Sequence, residues 1–354
     1  MLRTKFTFHL ILFILLSGIT LLFSCQKKLS KITTKAVFVA NEESGTISVI
    51  DAESQEKIKD IDLNEMSFNG KKIEMLMPHN VQVSPDNKTV WVTGISDLHT
   101  IEDQIIVIDA IKLKVIKRIN VGYHQHLAHV ILDTESKYAF ASATETNEII
   151  KINAETYKVE ARIKLGNLRE PHGMRYSNGN LYVANLGYKS LGIVNVNSGN
   201  TQDIMLGGMP VQTAVSSDGK YAYASLFDLK SIAIIDLNSM DVTKVALPAD
   251  SQGPIQIYLT PDNQQLFICD QGDLMGRPVS NKVYVLNTST KTVSEPILVG
   301  NKAHGVAINT QGTFAYVTNT DDNSVSIIDI SKNKVIKTVL AGKEPNGVSC
   351  WNKK

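Results

Sequence analysis

HGVAINTQGTFAYVTNTDDNSVSIIDISKNKVIKTVLAGKEPNGVSCW, residues 304–351, is the stretch that decides the fold. Residues 315–318 and 325–328 are short runs rich in β-branched and aromatic side chains, and the polar residues 320–324 separate them as a turn. A second turn at 331–333 leads into residues 335–340. Runs of this kind joined by tight polar turns predict consecutive antiparallel strands. Pro345-Asn346-Gly347-Val348 then restarts what His304-Gly305-Val306 began, so the stretch is one copy of a repeat.

Working outward, the most regular mark is an acid or amide that closes the third strand of each copy: Asp51, Asp109, Asn153, Asn195, Asp236, Asn287 and Asp329. Asp and Asn suit that place because their side chains cap the backbone of the following turn. The intervals are 58, 44, 42, 41, 51 and 42 residues, which is the period of four-stranded propeller blades. No window sustains a 3.6-residue apolar period, so a helical solenoid is excluded. The first copy supplies only three strands (36–40, 46–50 and 57–63), while the last is followed by a surplus strand, 347–351. If the surplus strand completes the first blade, the ring closes and no sheet edge is left unpaired. The expectation is an all-β, seven-bladed β-propeller over residues 36–351, its C-terminal strand closing the first blade.

Tyr316-Val317-Thr318-Asn319, followed by Val325-Ser326-Ile327-Ile328-Asp329, Lys334-Val335 and the Pro-x-Gly-Val restart, resembles the YVTN-repeat β-propeller family. Val37-Phe38-Val39-Ala40-Asn41 and Leu181-Tyr182-Val183-Ala184-Asn185 are weaker copies of the same strand. Ser84-Pro85-Asp86-Asn87-Lys88 and Ser216-Ser217-Asp218-Gly219-Lys220 resemble the family's preceding turn. The resemblance spans about residues 36–351 and implies the fold; propellers of this kind serve many roles, so it implies no single activity.

The leader stands apart from the repeat. Arg3 and Lys5 precede an apolar run from Phe6 to Phe23, and Leu22-Phe23-Ser24-Cys25 resembles the lipobox of bacterial lipoproteins. Residues 1–24 are expected to be an export signal, Cys25 the lipidated residue and residues 25–35 a tether. The alternative is an uncleaved anchor, for which the apolar run is at the short end of spanning length. Localisation is therefore expected to be exported and membrane-attached. The chain is 43% hydrophobic and 20% charged with net charge +1; removing Arg3 and Lys5 with the leader leaves 1 − 2 = −1. That balance argues against nucleic acid as a partner. Cys269 and Cys350 fall on distant blades, beyond bridging reach, and are expected to be buried free thiols.

The seven restarts are Pro78-His79-Asn80, His126-Leu127-Ala128-His129, Pro171-His172-Gly173, Pro210-Val211-Gln212, Pro254-Ile255-Gln256, Ala303-His304-Gly305 and Pro345-Asn346-Gly347. Equivalent positions of a closed ring converge on its axis, so histidines far apart in sequence are expected to meet at the channel mouth. The candidate ligand-binding residues are His79, His126, His129, His172, Gln256, His304 and Asn346, with Arg277 from an overhanging loop. Either His126 or His129 serves the second restart. As metal ligands, His79, His129, His172 and His304 would suit copper, zinc or haem iron. Carboxylates are missing from the seven restart positions, which counts against a calcium-dependent lactonase. The histidines faintly resemble the hubs of nitrous oxide reductase and haem-containing nitrite reductases, but no Cys-x-x-Cys-His occurs to attach a c-type haem. Histidine before Gly-Val also serves simply as a cap of the inner strand.

Residues 93–104 (Asp97, His99, Glu102, Asp103), 270–282 (Asp273, Arg277, Pro278) and 64–77 (Lys71, Lys72, Met75, Met77) are longer connections expected to overhang the same face. No Gly-x-Ser-x-Gly elbow or phosphate loop occurs, and Glu42-Glu43 reads as solvated turn charge. The reading that results is a binding or scaffold module, not an enzyme, taking a protein, peptide, glycan or small molecule over the channel mouth. A metal- or haem-binding protein or oxidoreductase is the first alternative and a lactonase-like hydrolase the second.

Overall fold

The computed structural model describes residues 34–64, 75–96 and 101–352. The leader, Cys25, Lys71, Lys72, Asp97 and His99 lie outside the described residues. Among the described residues, twenty-eight strands form seven four-stranded antiparallel sheets. Each sheet is built from consecutive strands except the first, where the terminal strand Pro345–Asn352 pairs with Lys35–Asn41. The protein is thus a seven-bladed β-propeller closed by its own C-terminus. Phe38 faces Ser349 and Ala36 faces Trp351 across that seam. Trp351 is buried, and its indole N–H donates to the Asn87 carbonyl of the second blade at 2.7 Å.

Burial grades outward across each blade, which is why the middle strands read as unbroken apolar runs and the outer strands as mixed ones. Ser324–Asp329 is buried along nearly its whole length, whereas Val159–Lys164 is almost wholly exposed. The core lies between blades, as where Phe38, Trp351, Val92 and Ile106 pack together across the first and second. The expected caps form. Asp51, Asp109, Asn153, Asn195, Asp236 and Asn287 each accept backbone amides of the following turn through Oδ1. Asp329 instead takes the Ser331 hydroxyl at 2.6 Å.

One irregularity recurs in all seven blades and positions everything at the hub. Between the residue that opens each inner strand and the third residue after it, the pairing slips by one: Pro78/Val81, Leu127/Val130, Pro171/Met174, Pro210/Thr213, Pro254/Ile257 and Ala303/Val306. In the first blade the slip lies opposite Val39/Asn41. This is a β-bulge, an extra residue that re-aims side chains and leaves an amide out of the ladder. In four blades a hydroxyl of the second strand accepts that amide and donates to the next blade's inner strand. Thr93 links Asn80 N to Ala128 O, Ser142 links His129 N to His172 O, Ser225 links Gln212 N to Ile255 O, and Thr318 links Gly305 N to Asn346 O. The bulge and the ring are therefore fastened by the same side chains. Cys269, buried and free, holds the corresponding place in the sixth blade, its Sγ 3.7 Å from Gly305 O. Cys350 is free but only half-buried, less enclosed than expected, because it lines a hollow with Val37 and Tyr316.

Candidate functional site

In every blade the start of the inner strand pairs with the end of the second, so the seven bulges and the turns after the second strands share one face. There the rings of His79, His129, His172 and His304 converge. Ring centres lie 5.3 Å apart for His129–His172, 5.7 Å for His79–His172, and 6.3 Å for both His79–His129 and His79–His304. The second restart is served by His129. It sits one place further along its bulge than the other three, which is the source of the apparent length difference in the sequence. His126 is exposed beside the mouth, in a left-handed conformation (φ 48°), its amide held by the buried Asp103 carboxylate. Partial desolvation of its ring, and then the His79 charge, lower its basicity.

Each imidazole is oriented by a different partner. His79 Nδ1 donates to Glu42 Oε1 at 3.2 Å, and Asn346 donates to the other carboxylate oxygen at 2.7 Å. His172 Nδ1 donates to the Val211 carbonyl at 2.9 Å, and His304 Nδ1 bonds to Gln271 Oε1. His129 Nε2 accepts from Gln256 at 3.2 Å, and Gln256 accepts in turn from Gln212 at 2.5 Å. As these amides are oriented, neutral His129 carries its proton on Nδ1. The Nε2 atoms of His79 and His304 are buried and meet no hydrogen-bond partner among the described residues.

The four imidazoles do not share one basicity: His79 is raised and the other three are lowered. Burial depresses His79, but the Glu42 charge and hydrogen bond outweigh it and leave His79 raised above 6.5. Burial alone would raise Glu42; the His79 charge, with hydrogen bonds from His79 and Asn346, reverses that and holds it at about 2. Burial and then the charge on His79 push His172 and His304 down to about 3. His129 is lowered well below its ordinary value by burial, by the charges of His172 and His79, and by Arg175. His79, paired with the Glu42 carboxylate, is thus the most basic of the four imidazoles, and the other three favour the neutral form.

Glu42 was read as solvated turn charge, and the structure corrects this. It stands in the turn after the second strand of the first blade, on the bulge-bearing face, so it reaches the hub without occupying a restart position. Its side chain is 24% exposed. Gln271 and Arg175 were likewise not singled out; the first lies at the end of a second strand, the second on the inner strand three residues after His172. Arg277 is placed elsewhere. Its guanidinium donates to the carbonyls of Phe227, Asp228 and Gln252 and lies over the Phe227 ring, which pins its loop to the neighbouring blade.

The residues present test poorly as a ready-made chelate. Among the described residues, no group of three or more His, Cys, Asp or Glu is gathered tightly enough to hold one ion. Imidazoles sharing a tetrahedral ion at Zn–N distances near 2 Å have ring centres roughly 5 Å apart, slightly closer than most pairs here.

No known family profile matches the chain, and no curated protein matches its sequence. Solved structures do match. Hydrazine synthase of Kuenenia stuttgartiensis aligns with a TM-score of 0.68 at 18% identity, covering 78% of this chain and 92% of that one. A putative 6-phosphogluconolactonase of Bacteroides fragilis aligns at 0.66 and 14% identity, covering 91% and 99%. The dihydro-heme d1 dehydrogenase NirN, in complex with DHE, aligns at 0.60 and 12% identity, covering 88% and 74%. Fold and site define a β-propeller with an imidazole-lined hub. Its structural neighbours differ in function, and the likeness is one of architecture.

Proposed function

We propose that the protein is an exported, lipid-anchored propeller of YVTN-repeat type that works as a binding module, capturing its ligand over the histidine-bearing face. The observation that carries this reading is the convergence of four imidazoles, one carboxylate and three carboxamides at one mouth. Two buried ring nitrogens there, on His79 and His304, have no partner among the described residues. Buried polar atoms without partners are costly, and a ligand that supplies hydrogen bonds or a lone pair removes the cost. The ligand class is a protein, peptide, glycan or small molecule presenting polar groups to a surface where an imidazole stands against a carboxylate. Attachment at Cys25, following the lipobox-like residues 22–25, places that face in the cell envelope. The test is pull-down from envelope extract and surface plasmon resonance with the wild type and a His79→Ala/His304→Ala variant. A partner held by the first and lost by the second is expected. Absence of any partner, together with robust turnover of a substrate, rejects the reading.

The same two orphan nitrogens favour a second reading, a transition-metal or haem site in which His79, His129, His172 and His304 close by a fraction of an ångström around copper, zinc or iron. Elemental analysis and an absorption spectrum of tag-free protein decide it. Stoichiometric metal that disappears in His172→Ala/His304→Ala supports this alternative. A lactonase-like role is disfavoured because one carboxylate, Glu42, falls far short of the six to eight oxygens calcium takes; a panel of lactones tests it.

A further inference from the structure

Blades two to seven join their inner strand to the second by a covalent turn on the face opposite the histidines, as at residues 84–88, 216–220 and 309–313. Such turns tie neighbouring blades together: Asp86 N donates to Ser136 Oγ at 3.0 Å, and Ser217 N to Asn263 Oδ1 at 2.9 Å. The first blade has no such turn, because its inner strand ends at Asn352 and its second begins at Lys35. There the Asn352 carboxamide reaches the turn of the seventh blade, donating to Thr310 Oγ1 at 2.9 Å. Beside it the described residues leave a hollow of about 510 Å³ between the seventh and first blades. That lies within the roughly 300–1,000 Å³ of small-molecule pockets. Phe314 and Tyr316, two residues apart and so on one side of their strand, line it with Val37 and Cys350. Tyr316 is 1% exposed, and its hydroxyl makes no hydrogen bond among the described residues; what is left open of it faces the hollow. Burial keeps that phenol protonated, and it keeps the Cys350 thiol so, pushed up to about 12. The charged residues in the lining are Lys35 and Glu53, one of each sign.

We propose that this seam hollow is a binding site for an uncharged aromatic small molecule that carries a hydrogen-bond acceptor for the Tyr316 hydroxyl. Phe314 and Tyr316 supply the surface against which a ring packs. The phenol, with no partner in the protein, is a donor that a carbonyl oxygen of the ligand takes up. A charged ligand would give up its hydration for an apolar floor in which the two charges of the lining already offset each other. The hollow lies at the Lys35–Asn352 end of the seam, whereas the histidine face lies at the Asn41–Pro345 end. The site is therefore separate from the capture face and does not depend on what binds there.

The experiment is alkylation of Cys350 by N-ethylmaleimide in the full-length protein in detergent, read by peptide mass spectrometry, with acetophenone, ethylbenzene or benzoate titrated in. In the wild type acetophenone is expected to slow the alkylation several-fold, flattening on saturation, and benzoate to leave it unchanged. In Tyr316→Phe the half-protecting concentration of acetophenone is expected to rise about fivefold for one lost hydrogen bond. That of ethylbenzene, which has no acceptor, is expected to stay where it was. Alkylation indifferent to acetophenone, protection by benzoate equal to that by acetophenone, or an unchanged acetophenone response in Tyr316→Phe overturns the proposal. Should Cys350 not react, or Tyr316→Phe not fold, wild-type crystals soaked in 4′-bromoacetophenone decide. An anomalous bromine peak in the hollow, with the carbonyl on the Tyr316 hydroxyl, supports the site, and its absence there refutes it.

Discussion

Acidification is expected to unfold this propeller through its hub. His172 and His304 are held neutral, with folded values of about 3 against 6.5 in the unfolded chain. A depressed value means stability that is complete above 6.5 and lost as pH falls towards the folded value. At pH 4.5 the unfolded imidazoles are protonated and the folded ones are not. Two pH units at 1.36 kcal/mol each then give about 3 kcal/mol per histidine, or about 5 kcal/mol for the pair. A domain stable by about 5–15 kcal/mol loses a third or more of its margin. His129 adds in the same direction. His79, raised by Glu42, has the opposite sign: its contribution is complete below 6.5 and fades as pH rises through its folded value. Glu42 contributes above 4.5 and is lost only towards about 2, so the interval from pH 7 to 4.5 isolates the imidazoles. The assay is urea unfolding of chelator-treated protein at both pH values, followed by the fluorescence of buried Trp91 and Trp351. Asparagine reproduces the Nδ1 donor of histidine without titrating, so His172→Asn/His304→Asn is expected to abolish most of the pH dependence. If the double variant loses as much stability as the wild type between pH 7 and 4.5, the hub is not the acid-sensitive element and the reasoning fails.

Glu42→Gln removes the charge that holds a proton on His79. Burial then dominates, and the His79 titration followed by NMR is expected to move from above 6.5 to below it, leaving the whole cluster neutral at pH 7. Ser225→Ala deletes a hydroxyl that accepts from Gln212 N and donates to Ile255 O, stranding two buried backbone groups. A loss of about 1–3 kcal/mol is expected in urea unfolding, with a smaller loss if water replaces the hydroxyl. Trp351→Ala empties the seam between the closing strand and the second blade and breaks the bond to Asn87 O. About 3–5 kcal/mol is expected, with early hydrogen exchange confined to residues 345–352 and their partners.

The ring, its copy number and its closure were legible because each blade announces itself locally. A capping Asp or Asn ends the third strand, and the surplus strand 347–351 has no other place to pair. The tetrapeptide Tyr316-Val317-Thr318-Asn319 also has a physical reading in the fold. Tyr316 and Val317 are buried between blades, and Thr318 bridges Gly305 N to Asn346 O. Asn319 ties the following turn through Ser324 and Ser326 and accepts Gly300 N. The histidine convergence followed from the ring alone. Glu42 and Gln271 did not, because Glu42 reaches the hub from the turn after a second strand and Gln271 from the end of one, away from the restarts. Arg175 was hidden by spacing: it lies past the bulge, where the alternation resumes with the phase shifted.

The bulge also explains why hub residues cannot be aligned by counting from proline. The neighbouring blade decides whether the second bulge residue can carry a side chain at all. At Gly305 an added Cβ would stand 2.2 Å from the Asn346 carbonyl, and at Gly173 2.6 Å from that of Val211. The second bulge residue must then be glycine, and the first supplies the functional group, His304 or His172. In the third and sixth blades the first residue is Ala128 or Ile255, and the second, His129 or Gln256, points inward. Gly305→Ala tests this account. Its obstacle is backbone of the closing strand, which cannot yield by a rotamer change, so a loss of at least about 1–3 kcal/mol is expected, with a shift in Trp351 fluorescence as Pro345–Asn352 is displaced. Gly179→Ala is the control: its Cβ meets nothing within 4 Å and its φ of +77° costs only left-handed strain, about 1–2 kcal/mol, with no change at Trp351. Gly305→Ala protein as stable as the wild type, or with an unmoved Trp351, would show that close approach of adjacent inner strands does not select the glycine.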